Sequence, residues 1–185
     1  STIIMVMALK PIYDLAKIKR VIVSTYQAVS GAGKEGIDEL DAQVREHSEG
    51  REMTANILPS ASAEKHYPIA FNLIPQIDVF CDNLYTKEEM KMVNETKKIM
   101  EDYEMRITAT TIRVPVYRSH SESVNIELEK EVDLGAMREA LAKFPGVTVQ
   151  DDPSKQEYPM PLYTSEKDDV YVGRLRRDES CEKSY

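Results

Sequence analysis

At 185 residues the chain is near the size of one ordinary domain, and 42% hydrophobic with 30% charged residues excludes both a disordered polymer and a membrane-embedded one. Its longest apolar stretch, Ile3 to Leu9, is too short to span a bilayer. A net charge of −8 argues against a nucleic-acid surface, which needs a basic field, and the one compact basic run, Arg174-Leu175-Arg176-Arg177, is followed at once by Asp178 and Glu179.

In chain order, Ser1 to Lys19 places Ile4, Met7 or Ala8, Pro11 and Leu15 at helical steps and reads as a buried helix, with Ser1 or Thr2 available as its cap. Arg20 to Val29 is rich in β-branched and aromatic residues and predicts an internal strand, ended by Ser30-Gly31-Ala32-Gly33. Gly36 to His47 carries Ile37, Leu40 and Val44 on one helical face. Ser48 to Pro68 has no sustained period and reads as a long loop, and Ile69 to Asp78 as extended pieces around a turn. Thr86 and Glu89 form a capping box for a helix from Lys87 to about Glu101. Arg106 to Tyr117 and Ser123 to Lys130 predict two strands, the second with Val124, Ile126 and Leu128 sharing a face. Asp133 caps a helix carrying Leu134, Met137, Leu141 and Phe144, stopped by Pro145-Gly146 before a strand at Val147 to Val149. A last strand is expected at Val170 to Arg176, and Asp178 to Tyr185 reads as polar and frayed.

Several residue patterns carry possible chemistry. Gly31-Ala-Gly33-Lys-Glu-Gly36 spells G-x-G-x-x-G between a strand and a helix, yet no second strand ending in an acidic residue follows about 20 positions on, so the plainer reading is a tight glycine turn. His47, His66 and His120 are scattered, Cys81 and Cys181 are far apart, and neither H-E-x-x-H nor C-x-x-C occurs, so neither a metal site nor a disulfide framework is expected. That cysteine usage suits a reducing cytoplasm. His120 follows the strand that carries Arg113, and an imidazole near a guanidinium suits a general base acting on a carboxylate-bearing substrate, although a lone strand-end His is more often structural. Glu88 and Lys91, three apart, are neighbours on one helix face and by spacing alone read as a solvated ion pair. Gln27 lies in a strand otherwise built for burial, so its amide lines a pocket or bonds a loop. The nine methionines and the tyrosines without tryptophan most simply fill irregular gaps.

Taken together, Ser24-Thr-Tyr-Gln-Ala-Val-Ser-Gly-Ala-Gly33, His66-Tyr-Pro-Ile-Ala-Phe-Asn72, Tyr85-Thr-Lys-Glu-Glu-Met-Lys-Met92, Arg113-Val-Pro115, His120-Ser-Glu-Ser-Val124 and Gly173-Arg-Leu-Arg-Arg-Asp178 resemble aspartate-semialdehyde dehydrogenase of the bacterial NADP-dependent type. The blocks run in family order from Ser1 to about Asp178. The resemblance implies an α+β catalytic and dimerisation domain over 1–178, with a mixed, mostly antiparallel sheet and helices on one face, like the C-terminal domain of glyceraldehyde-3-phosphate dehydrogenase-like enzymes. It implies reduction of aspartyl phosphate to aspartate semialdehyde through a cysteine thioester, with phosphate and NADP as further ligands and a homodimer or dimer of dimers as the assembly. By match of position His120 is the general acid/base, Gln27 and Arg113 position substrate, Glu88 meets the substrate amine and Lys91 the phosphate. Ser30 and Gly31 match a loop that touches the nicotinamide half of NADP. The family's nucleophilic cysteine falls immediately before Ser1 and its dinucleotide-binding domain lies upstream, so these residues are expected to be a piece of the family's length, inactive alone. After Asp178 the sequence departs from the family. An N-acetylglutamyl-phosphate reductase is the alternative, disfavoured because an acetylated amine offers Glu88 no charge.

Overall fold

The computed structural model describes residues 1–185. Thr2–Leu15 forms α1, with Met5, Leu9 and Ile12 on its buried side. Ser1 sits at its N-cap without a side-chain capping bond, so the cap expected from the sequence is positional only. Strand β1 (Ile18–Gln27) follows, then a short 3-10 turn (Val29–Ala32) and α2 (Gly33–Ser48). No helix or strand forms between Ser48 and α3 (Lys87–Ile99), after which come β2 (Arg106–Arg113), β3 (Ser121–Leu128), α4 (Leu134–Lys143), β4 (Val147–Val149), α5 (Pro161–Thr164) and β5 (Val170–Val172).

The main sheet has the order β2-β1-β3, with β1 parallel to β2 and antiparallel to β3. It is mixed, as the sequence suggests, but parallel pairing takes a larger part, since β4 and β5 also pair in parallel. The long connection from β1 to β2, carrying α2 and α3, supplies the crossover that a parallel pair needs. Along β1 the faces alternate: Val21 and Val23 are buried, whereas Ile22, Ser24 and Tyr26 are not. The buried face joins Ala109, Ile126 and Leu128 to α1, α3 and α4 in one core. Four methionines, Met5, Met92, Met105 and Met137, are almost completely enclosed there, each burial stabilising by about 2 kcal/mol. No helix covers the other face, lined by Ile22, Ser24 and Tyr26 with Thr108, Thr110 and Ile112 in register.

Helix α3 starts as the sequence predicts. Thr86 Oγ1 accepts from the Glu89 N–H, and Glu89 Oε2 accepts from the Thr86 N–H at 2.8 Å. The other Glu89 oxygen accepts from the Thr111 N–H at 2.9 Å, tying the helix to β2. Helix α2 differs from its expected pattern: Val44 is substantially exposed and Gln43 is fully buried in its place. The Gln43 amide accepts from the N–H groups of Ile69 and Ala70 and donates to the Thr54 carbonyl, so it satisfies backbone that a loop would otherwise bury unpaired. Around it Val29, Leu40, Leu58, Ile69, Ala70 and Ile74 make a second, smaller core.

The C-terminal residues are not frayed. Tyr185 and Ser184 are buried, Ile126 and Tyr185 exchange both backbone bonds at 3.0 Å, and Leu128 N–H donates to Lys183. The Tyr185 hydroxyl donates to the Val132 carbonyl and accepts from its N–H. The tail therefore extends the sheet antiparallel to β3, and its polar composition masked one anchoring aromatic.

Candidate active site

At the C-terminal end of β1 the buried residue Ala28 has both peptide groups engaged by side chains. Its N–H donates to Nδ1 of His120 at 3.0 Å, and its carbonyl accepts from Nη1 of Arg113 at 2.7 Å. Arg113 arrives there as the last residue of β2, in register with Gln27, while its own backbone exchanges two bonds with Ile74. His120 arrives from the turn before β3, where Ser119 takes a left-handed conformation (φ 71°) and bonds Thr164 of α5 at 2.9 Å.

Arg113 is only 4% exposed and its Nε has no partner within the protein. Burial pulls the guanidinium down from its ordinary value, and Glu88 acts in the opposite direction. His120 is pulled down to about 4, chiefly by burial, then by the Ser1 ammonium and Arg113, with Glu88 opposing. At neutral pH the ring is therefore uncharged. Because Nδ1 accepts from Ala28, the ring proton sits on Nε2, which makes this imidazole a donor toward the site.

Gln27 resolves as a buried bridge: its Nε2 donates to Glu88 Oε1 at 3.2 Å and to Thr25 Oγ1 at 3.3 Å. Glu88, in the first turn of α3, lies 3.8 Å from Lys91 through its second oxygen, and the Lys91 side chain is more than half exposed. Ser30 and Gly31 lie in the 3-10 turn immediately after Ala28, the Ser30 N–H bonded to the Tyr117 carbonyl. A Cβ on Gly31 would stand 2.6 Å from Arg113 Nη1 and 3.5 Å from the His120 ring. Gly33 takes φ 80° and ψ −169°, and Gly36 faces the Val29 carbonyl, so the glycine run is a turn shaped by its own neighbours.

The structure thus brings Gln27, Glu88, Arg113, His120 and Gly31 together, with Lys91 at the rim. Three features had no signal in the sequence: the Ala28 peptide as the hub, the half-buried side chain of Glu122 on β3 with one sealed oxygen, and the Tyr117 hydroxyl bonded to Asp41 of α2. Of the five buried side-chain atoms without a partner, two belong to this neighbourhood, Arg113 Nε and Glu122 Oε1, and a third is Ser1 Oγ at the head of α1. A free guanidinium edge suits a carboxylate, a partly shielded Glu88 suits a cation, an exposed lysine suits a phosphate, and an imidazole N–H suits a developing oxyanion.

The chain is thus an α+β domain with a mixed sheet and a cluster of charged and polar side chains at the end of its central strand. Residues 9–185 match the family described as semialdehyde dehydrogenase, dimerisation domain, and the chain belongs to that family. It is 53% identical over 178 residues to aspartate-semialdehyde dehydrogenase of Aquifex aeolicus, covering 96% of this chain and 51% of that protein. It is 51% identical over 179 residues to the Bacillus subtilis enzyme, covering 96% and 52%. The structure of aspartate semialdehyde dehydrogenase II from Vibrio cholerae complexed with ASA superposes with a TM-score of 0.91 at 42% identity, over 99% of this chain and 52% of that one. The chain spans about half the length of the relatives it matches.

Proposed function

We propose that residues 1–178 are the catalytic and dimerisation portion of an aspartate-semialdehyde dehydrogenase, an oxidoreductase of amino-acid biosynthesis acting in the cytoplasm. The observation that carries this is the Ala28 hub, which fixes a buried guanidinium and a neutral imidazole side by side next to the Gln27–Glu88 pair. No helix is long and apolar enough to cross a membrane.

In this reading Arg113 holds the substrate carboxylate with its unpartnered Nε edge, at a site whose water exclusion strengthens the pairing. Glu88 takes the substrate ammonium while Gln27 fixes its carboxylate from behind. Lys91, a point charge on an exposed stem, holds the phosphate that arrives and leaves. His120 donates from Nε2 to the oxygen of the reacting acyl carbon, where negative charge develops, and Ala28 keeps that nitrogen protonated. The nucleophilic thiol belongs immediately before Ser1, at the head of α1. NADP, when bound, supplies or takes the hydride. Ser30 and Gly31 would hold its nicotinamide end, and the exposed Gly31 backbone beside Arg113 and His120 leaves that surface open.

These 185 residues alone are proposed not to turn over, because neither Cys81, in the turn before α3, nor Cys181, in the C-terminal tail, matches the position of the family's nucleophile. The open face of the sheet, with Tyr26, Ile22 and Ile112, is proposed as the homodimer surface, consistent with the family's description. A substrate panel tests the reading. The complete enzyme should prefer aspartate semialdehyde, and Glu88→Gln should lower that preference at least tenfold; preference for the N-acetylated glutamate compound would replace this reading with the reductase.

A further inference from the structure

His120 reaches the site from the connection between β2 and β3, and the two halves of that connection are held differently. The first half is fixed through its backbone: the Val29 N–H donates to the Val116 carbonyl at 2.8 Å and the Ser30 N–H to the Tyr117 carbonyl at 3.1 Å. Residues 118–120 make no backbone hydrogen bond. Two side-chain bonds hold them, from the Ala28 N–H to His120 Nδ1 at 3.0 Å and between Ser119 Oγ and Thr164 Oγ1 of α5 at 2.9 Å. The Thr164 hydroxyl gives its one proton to the Met160 carbonyl at 3.2 Å, so Ser119 donates and Thr164 accepts. Ser119 itself is left-handed at φ 71°, a conformation that a non-glycine residue keeps only where its surroundings impose it. The segment that carries α5 has a firm base, since its two ends are the parallel pair β4 and β5, and Val147 of β4 lies in the main core.

Resting on the dehydrogenase reading above, we propose that Thr164 is a positioning residue for the proton donor of this site: its bond to Ser119 holds the left-handed turn that presents His120 Nδ1 to the Ala28 N–H, and so aims Nε2 at the reacting oxygen. The torsions of Ser119 set the direction in which the chain enters His120, and with no ladder bond at residues 118–120 nothing in the backbone fixes them. Relaxation of Ser119 out of the left-handed region would turn the imidazole away from Ala28. Ala28 is wholly buried, so its N–H would then be left without a partner. The Ser119–Thr164 bond and the His120–Ala28 bond therefore depend on each other across one peptide unit. Thr164 shares no bond with Gln27, Glu88 or Arg113, so its effect on the reaction passes through the imidazole.

The test in the 185-residue chain is hydrogen exchange at the Ala28 amide, with imidazole-nitrogen NMR of His120, in the wild type, Thr164→Val and Thr164→Ser. Valine keeps the shape of threonine without the hydroxyl, and serine keeps the hydroxyl. Thr164→Val should speed exchange at Ala28 about fivefold or more, while the amides of Val21 and Val23 within β1 change less than about twofold. The imidazole should pass from the single Nε2-protonated form to a mixture of both tautomers, and Thr164→Ser should restore the wild-type rate and spectrum. Ser119→Gly removes the other hydroxyl from a turn that glycine adopts freely, and it should reproduce the Thr164→Val result, which keeps the test open if the valine variant fails to fold. Unchanged exchange at Ala28, or acceleration shared equally by Val21 and Val23, overturns the positioning role. In the complete enzyme Thr164→Val should lower kcat about fivefold or more, with KM for aspartate semialdehyde changing less than about twofold and Thr164→Ser recovering most of the loss. Unchanged kcat in Thr164→Val overturns the proposal. Faster Ala28 exchange as expected, with no turnover on any semialdehyde, counts against the dehydrogenase reading, and unchanged exchange with full turnover counts against the role of Thr164 alone.

Discussion

Gly31→Ala adds a single methyl to an exposed turn, and on composition alone it should be harmless. The structure says otherwise, because that methyl would stand 2.6 Å from Nη1 of Arg113, closer than real Cβ contacts come. Arg113 has nowhere to retreat cheaply: it is 4% exposed and the same Nη1 holds the Ala28 carbonyl at 2.7 Å. Moving it breaks a charge-assisted bond and strands a buried carbonyl, a single loss of about 3 kcal/mol. That is a large share of the roughly 5–15 kcal/mol that holds a domain together. Gly33→Ala is the control. Nothing lies within 4 Å of its added carbon, so it should cost only backbone strain of about 1–3 kcal/mol and leave Arg113 in place. Urea unfolding measures both costs, and succinate binding followed by calorimetry reads the guanidinium. Gly31→Ala should weaken the dicarboxylate at least tenfold, and Gly33→Ala less than twofold. Equal carboxylate affinity in the two variants would refute the reasoning, since it would mean that the guanidinium is not confined by the turn.

Three further outcomes follow from the same geometry. Gln43→Leu should destabilise by about 2–4 kcal/mol in urea unfolding because it strands the Ile69 and Ala70 N–H groups and the Thr54 carbonyl, and Gln43→Glu, which keeps the acceptor, should cost less. Tyr185→Ala should cost about 3 kcal/mol and speed hydrogen exchange at Ile126 and Leu128, whose amides bond the tail. Glu122 makes stability depend on pH. Its folded value near 8 lies above the unfolded 4.5, so the folded state holds the proton more tightly; the benefit is complete below about pH 4.5 and is lost as pH rises toward 8, with a ceiling of about 5 kcal/mol. Glu122→Gln should therefore match the wild type near pH 4.5 and exceed it in melting temperature near pH 8, and parallel pH profiles would contradict this.

What could be read from the sequence was local. The Thr86–Glu89 capping box is a pattern of four residues and formed as written, and Asp133 likewise caps α4 through the Ala136 N–H. Strand and helix identities were legible from periodicity, though β1 and β2 end earlier than their β-branched runs do, where the chain turns to form the site. Helical spacing favours the apolar Val44 for burial, whereas burial goes to Gln43, the one side chain able to satisfy loop backbone 26 residues away. In the tail the converse holds: its composition is polar, yet the single aromatic Tyr185 is buried and anchors it. The resemblance assigned His120 and Arg113 roles, but their shared anchor is a peptide group, which has no sequence signature.

The central claim is that the Ala28 hub and its neighbours form the acid and substrate-holding half of a semialdehyde dehydrogenase. The most direct measurement joins this chain to the upstream segment that the proposed reading calls for, with a cysteine preceding Ser1, and follows phosphate-dependent NADP reduction with aspartate semialdehyde. Turnover should appear, fall at least a hundredfold in kcat with His120→Ala, and show at least a tenfold rise in KM with Arg113→Lys, which lacks the fork that grips a carboxylate. Full turnover in His120→Ala, with the fold intact, would contradict the account.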